Sequence, residues 1–178
     1  MRKSTQVAIG GVASSLCLLM MFLTGLIPFS TYCFPAFAGI VLIAVAEENG
    51  PRTAVMVYVA TSVLSLFIVP DREAVMLFIM LLGYYPTLKP YIERLGRLGG
   101  TVVKAALFNG TVIAFYYVML FVFGVPDLLE RWGDFGRLTV VVALGLVNFT
   151  LFTYDFLLTE TLRIYRYWFR PKILHKLF

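Results

Sequence analysis

Between Ser4 and Ala46 the chain carries no charged residue. At about 1.5 Å of rise per residue, that run exceeds one crossing of a bilayer core about 30 Å thick. Pro28 and Pro35 supply a place to break it into two helices. A soluble domain could not hide such a stretch easily, and the composition agrees. Of 178 residues, 60% are hydrophobic and 14% charged, against about 45–50% and about 25% in soluble domains. Mean hydropathy is +0.87. The expected fold is an all-α membrane protein, a single integral membrane domain over 1–178.

Apolar periodicity marks six spans, at about 7–27, 34–46, 53–69, 74–88, 105–125 and 138–158, followed by a basic, aromatic tail at 161–178. The second and fourth are short for a full crossing and must recruit flanking residues or be shielded by neighbours. Lys and Arg give the orientation. One set of alternate connections and termini holds twelve: Arg2, Lys3, Arg52, Lys89, Arg94, Arg97, Lys104, Arg163, Arg166, Arg170, Lys172 and Lys176. The other holds three, Arg72, Arg131 and Arg137. That asymmetry predicts a six-transmembrane-helix bundle, multi-pass with both termini in the cytoplasm (N-in/C-in). The N-terminal segment is expected to be a retained helix, because its apolar core is longer than that of a signal peptide and no A-x-A site follows it.

Catalysis finds little footing. The single histidine, His175, lies in the tail. There is no H-E-x-x-H, P-loop, G-x-G-x-x-G or Cys–His ligand spacing. No catalytic residue, metal or cofactor is expected. Cys17 and Cys33 fall at different expected depths, so they give no disulfide framework.

Polar groups inside apolar spans are costly and turn towards the bundle. Lys104 in the fifth span and Asp155 in the antiparallel sixth reach similar depths, which predicts a structural ion pair. Asn109 and Asn148 lie deeper. An amide donates and accepts without the cost of a charge, so both interhelical bonding and, for Asn148, ligand contact are open readings. In the outer connection between spans three and four, Pro70 ends one helix, Asp71 caps the next and Glu73 complements its dipole. Arg72 beside them either belongs to that cap or faces an outward-opening cavity.

Two further outer loops, around Phe29 and Tyr32 and around Trp132, combine aromatics with polar groups. Such groups suit a flat amphipathic ligand and an interfacial aromatic belt equally. Span one carries Gly10, Gly11, Ser14 and Ser15 at small-xxx-small spacing, which lets another helix approach, either within the chain or from a partner. On the inner side, 89–100 and the tail combine basic and apolar residues. These are expected to form short interfacial cytoplasmic helices on anionic lipids, with no nucleic-acid partner.

The stretch VAIGGVASSLCLLMMFL with the following IPF, set in a small six-span chain, resembles the substrate-binding S components of energy-coupling factor (ECF) transporters. The resemblance covers roughly residues 5–160 and rests mainly on architecture. It implies a vitamin-like small-molecule substrate bound near the outer face, with Phe29, Tyr32, Arg72, Trp132 and Asn148 as candidate contacts. It also implies docking through Gly10, Gly11, Ser14 and Ser15 on a transmembrane coupling subunit driven by two ATPase subunits. Here glycine and serine stand where that family uses alanine. Two other classes fit the pattern: a non-transporting scaffold of cell-envelope assembly (MreD-like), and a lipid-handling membrane protein.

Overall fold

The computed structural model describes residues 3–27, 30–121 and 136–168. Among these, every regular element is helical and no strand occurs. In chain order they are α1 (Lys3–Leu23), α2 (Cys33–Asn49), α3 (Pro51–Ile68), α4 (Arg72–Leu77), a π-helical turn (Phe78–Leu82), α5 (Tyr85–Glu93), α6 (Gly96–Phe121) and α7 (Gly136–Ile164). Four segments are long and apolar enough to cross a bilayer: Gln6–Leu23, Pro51–Ile68, Arg72–Glu93 and Leu98–Val118. The chain is therefore read as a membrane protein.

The helix ends have local causes. α1 stops at Leu23, short of the expected 27, because its last turn tightens. The N–H groups of Thr24, Gly25 and Leu26 bond three residues back, to Met21, Phe22 and Leu23, at 3.3, 3.2 and 3.1 Å. The Thr24 hydroxyl donates to the Met21 carbonyl as well, at 2.7 Å. α2 runs past the expected 46 to Asn49, and only Gly50 separates it from α3.

The expected fourth span, 74–88, is one apolar stretch made of three helical pieces. Pro86 has no N–H to donate and its ring crowds the carbonyl four residues back, at Leu82, so the helix reopens there. The turn before it widens: the Gly83 N–H reaches the Phe78 carbonyl at 2.8 Å, five residues back. Ile79 thereby loses its regular donor, and the Tyr58 hydroxyl of α3 supplies one at 2.6 Å. A Cβ on Gly83 would lie 2.6 Å from Tyr58 Cδ2, so only glycine admits this approach of helix to ring.

The segment 89–100 spans two helices. It is the end of α5 and the start of α6, divided at Gly96, whose φ of 83° most side chains avoid. Ile92 is buried while Leu95 and Leu98 are exposed.

The chain divides into two compact units, Met1–Tyr91 with Leu157–Phe178, and Ile92–Phe156. In the first, α1, α2 and α3 pack on one another. Their contact face repeats at helical spacing: Ala13, Cys17 and Met21 on α1, Ala38, Leu42 and Val45 on α2, Ala54 and Val57 on α3, with Ala74, Val75 and Phe78 closing it. Alanine and glycine on these faces allow close approach; the Cys17 thiol reaches the Ala38 carbonyl at 3.5 Å. In the second unit α6 and α7 run side by side, and their facing side chains define its interior.

Candidate functional site

Between α6 and α7 three layers of side chains follow one antiparallel register. At one end the Lys104 ammonium donates to Asp155 Oδ2 at 2.7 Å and to Glu93 Oε1 at 3.3 Å. About one turn on, Phe108 and Phe152 meet edge to face, ring centroids 5.5 Å apart and planes at 82°. Beside them Asn109 and Asn148 exchange amide hydrogen bonds at 3.2 and 3.1 Å.

Lys104 and Asp155 are both deep, their side chains 11% and 14% exposed, whereas Glu93 is half exposed. A cation held between two carboxylates is neutralised where its desolvation cost is highest. The arrangement braces the two helices. It presents neither a nucleophile beside a base nor, among the described residues, any group of His, Cys, Asp and Glu suited to a metal ion. Asn148 is equally committed: its amide N–H groups go to Asn109 Oδ1 and to the Leu144 carbonyl at 2.9 Å. An oxygen lone pair is what it has left for a ligand.

In the first unit, the connection 69–73 joins the turn that follows α1. Asp71 caps α4, Oδ1 accepting the Ala74 N–H at 3.1 Å, while Oδ2 accepts the Thr31 hydroxyl at 2.9 Å. Arg72 donates to the Leu66 carbonyl, one of the last four of α3, where a cation satisfies an orphan acceptor. Tyr32 stands beside these groups. Burial pushes its phenol above the usual range, and the Glu73 and Asp71 carboxylates push it further. Of the five expected substrate contacts, Tyr32 and Arg72 thus sit at one cluster of the first unit and Asn148 belongs to the second. Phe29 and Trp132 lie outside the described residues.

The four small residues of α1 divide between two faces. Gly10 is buried, its missing Cβ 3.5 Å from Val57 Cγ2 of α3, and Ser14 is half-buried. Gly11 and Ser15 face outward. Nothing lies within 4 Å of a Cβ on Gly11, and the Ser15 hydroxyl donates back to the Gly11 carbonyl at 3.0 Å.

No known family model matches the chain, and neither a curated protein nor a solved structure does.

Sequence reasoning missed the clasp around the end of α7 and the residues just after it. Arg166 makes a bidentate pair with Glu47 at the end of α2, Nε to Oε2 at 2.8 Å and Nη2 to Oε1 at 2.6 Å. Next to it the Tyr165 hydroxyl meets Glu48 Oε1 at 3.2 Å. Buried Lys89 donates to the Thr159 hydroxyl at 2.6 Å. One signal was available. Glu47 and Glu48 are an acidic pair on the side to which the topology assigns most of the basic residues.

Proposed function

We propose that this chain is the substrate-binding membrane subunit of an ECF-type uptake system in a bacterial cytoplasmic membrane. It crosses six times with both termini inside, captures a vitamin-like small molecule at the outer face, and docks on a transmembrane coupling subunit powered by two ATPases. The observation that carries this reading is the division of the α1 stripe. Gly10 is used internally against Val57, while Gly11 and Ser15 remain open on an adjacent flank. Open small residues on an apolar helix permit backbone-close packing by a second helix, which is what coupling to a partner requires.

Replacing Gly11 or Ser15 with leucine tests the docking. Neither position is packed within the described residues, so both variants should fold and insert, yet lose co-purification with a transmembrane partner. Unchanged co-purification sinks the docking assignment.

A non-transporting envelope scaffold is the second reading, and one observation favours it. Two of the polar groups expected to meet a substrate already serve the fold: Arg72 on the Leu66 carbonyl and Asn148 on Asn109. Purification from the native membrane in mild detergent, with mass spectrometry of bound proteins and small molecules, separates the two. A coupling subunit with two ATPases, or a retained micronutrient, supports transport. Cell-envelope enzymes without a ligand support the scaffold.

A further inference from the structure

A groove of about 640 Å³ runs between α3 and the α4–α5 segment, open along one side. Val55 and Met56 form one wall, and Tyr84, Leu88 and Tyr91 form the other, with Arg52 at its end. Its origin lies in the helix break described above. α3 packs on α4, and the wide turn at 78–82 and the prolines at 86 and 90 re-aim the chain that follows. Both walls belong to segments apolar enough to cross a bilayer, so the open side faces acyl chains rather than water.

We propose that this groove binds an anionic phospholipid, one acyl chain lying along Val55, Met56 and Leu88 and the headgroup phosphate meeting Arg52. Charge complementarity carries the choice of headgroup. Arg52 is exposed, and among the described residues it enters no ion pair, whereas Lys104, Arg163 and Arg166 all do. A free guanidinium at the end of an apolar, membrane-facing groove matches a phosphate attached to a hydrocarbon chain. The shape of the walls carries the choice of lipid over protein. A docked transmembrane helix is about 10 Å across and favours small residues at its contact. Here Met56, Leu88, Tyr84 and Tyr91 present long or aromatic side chains, and they suit a thin chain with tyrosines near the headgroup level. Neither Arg52 nor the groove belongs to the Gly11–Ser15 face, so this site stands or falls apart from the transport reading.

Native mass spectrometry of the full chain, mixed with equal amounts of phosphatidylglycerol and phosphatidylcholine of the same acyl chains, tests it. The wild type should retain phosphatidylglycerol in excess. Arg52→Gln should cut that excess about fivefold, the effect of one cation at a lipid surface, with phosphatidylcholine retention falling less because its choline offsets the phosphate charge. Arg52→Lys should keep most of the preference, and Met56→Trp, which fills the groove, should lower retention of both lipids. Equal retention of the two lipids by the wild type overturns the proposal, as does an undiminished excess in Arg52→Gln. A photo-crosslinking residue at position 56 that captures a protein segment in the native membrane, rather than lipid, also overturns it.

Discussion

Asn109 and Asn148 face each other across α6 and α7 and exchange two hydrogen bonds, each amide nitrogen donating to the other's oxygen. Each nitrogen also bonds a carbonyl four residues back on its own helix, Ala105 for one and Leu144 for the other. All four amide hydrogens are thereby used. In a membrane helix pair such reciprocity fixes rotation and register together, because turning either helix breaks both bonds at once.

A double-mutant cycle measures this pair. Asn109→Ala and Asn148→Ala should each destabilise the protein in detergent. Their coupling energy should be about 0.6 kcal/mol and no more than about 1.7 kcal/mol, the range for interhelical hydrogen bonds in membranes. Strict additivity would show that the bonds contribute nothing beyond the separate side chains.

The Lys104 cluster should behave as a buried pair with an exposed helper. Asp155→Leu leaves the buried ammonium with only the half-exposed Glu93 as counter-charge, and the expected loss is about 3 kcal/mol, the low end for a broken buried pair. Adding Lys104→Met should recover most of it, since the one charge left in the cluster, on Glu93, is half exposed and stays solvated. Glu93→Gln should cost much less, about 1 kcal/mol or below, because Glu93 is half exposed and its bond is longer. Thermal or denaturant unfolding of the four proteins compares them, and a Glu93 effect equal to that of Asp155 would contradict the ranking.

Lys104 and Asp155 could be paired from sequence because rise per residue converts position into depth, and a charge in an apolar span needs a partner. Glu93 could not be added to them, since its place depends on a chain break at Gly96 that sequence spacing does not encode. The π turn at 78–82 was equally hidden. In a uniformly apolar run the change from 3.6 to a wider turn leaves no trace in the pattern, and the signal resides instead in Pro86 and in a distant tyrosine. Small-xxx-small spacing drew attention to α1 but gave the same weight to Gly10, which is buried, and Gly11, which is exposed. The Arg166–Glu47 clasp joins residues far apart in the chain, and no local periodicity brings them together.

The close approach at Gly83 predicts opposite signs for two glycine replacements. In Gly83→Ala the new Cβ would meet Tyr58 Cδ2 at 2.6 Å and the Phe78 carbonyl oxygen at 2.8 Å. Backbone cannot yield cheaply there, and a loss of about 1–3 kcal/mol is expected. Gly110, inside α6, has nothing within 4 Å of its missing Cβ. Gly110→Ala should stabilise by about 0.5–1 kcal/mol through helix propensity alone. Tyr58→Phe should imitate Gly83→Ala in sign, at about 1–3 kcal/mol, because the Ile79 carbonyl loses its donor. Melting temperatures of the three variants decide it; a neutral Tyr58→Phe would mean that the π turn does not depend on that bond.

Tyr32 gives a pH dependence with a definite sign. Burial, then the neighbouring Glu73 and Asp71 carboxylates, hold its phenol protonated beyond the usual range in the folded chain. Between the ordinary value of about 10 and the raised one, the folded state keeps a proton that the unfolded state has released. Stability contributed by this group is therefore complete below about pH 10 and declines as pH rises through the folded value. Wild type should lose stability above about pH 10 more steeply than Tyr32→Phe, and phenolate absorbance differenced between the two should show a late-titrating phenol. Glu73→Gln, at an exposed position, should bring that titration back towards the ordinary value by removing one of the two carboxylate charges. Identical pH profiles for wild type and Tyr32→Phe would mean that Tyr32 is not held between α2 and the Asp71 cap.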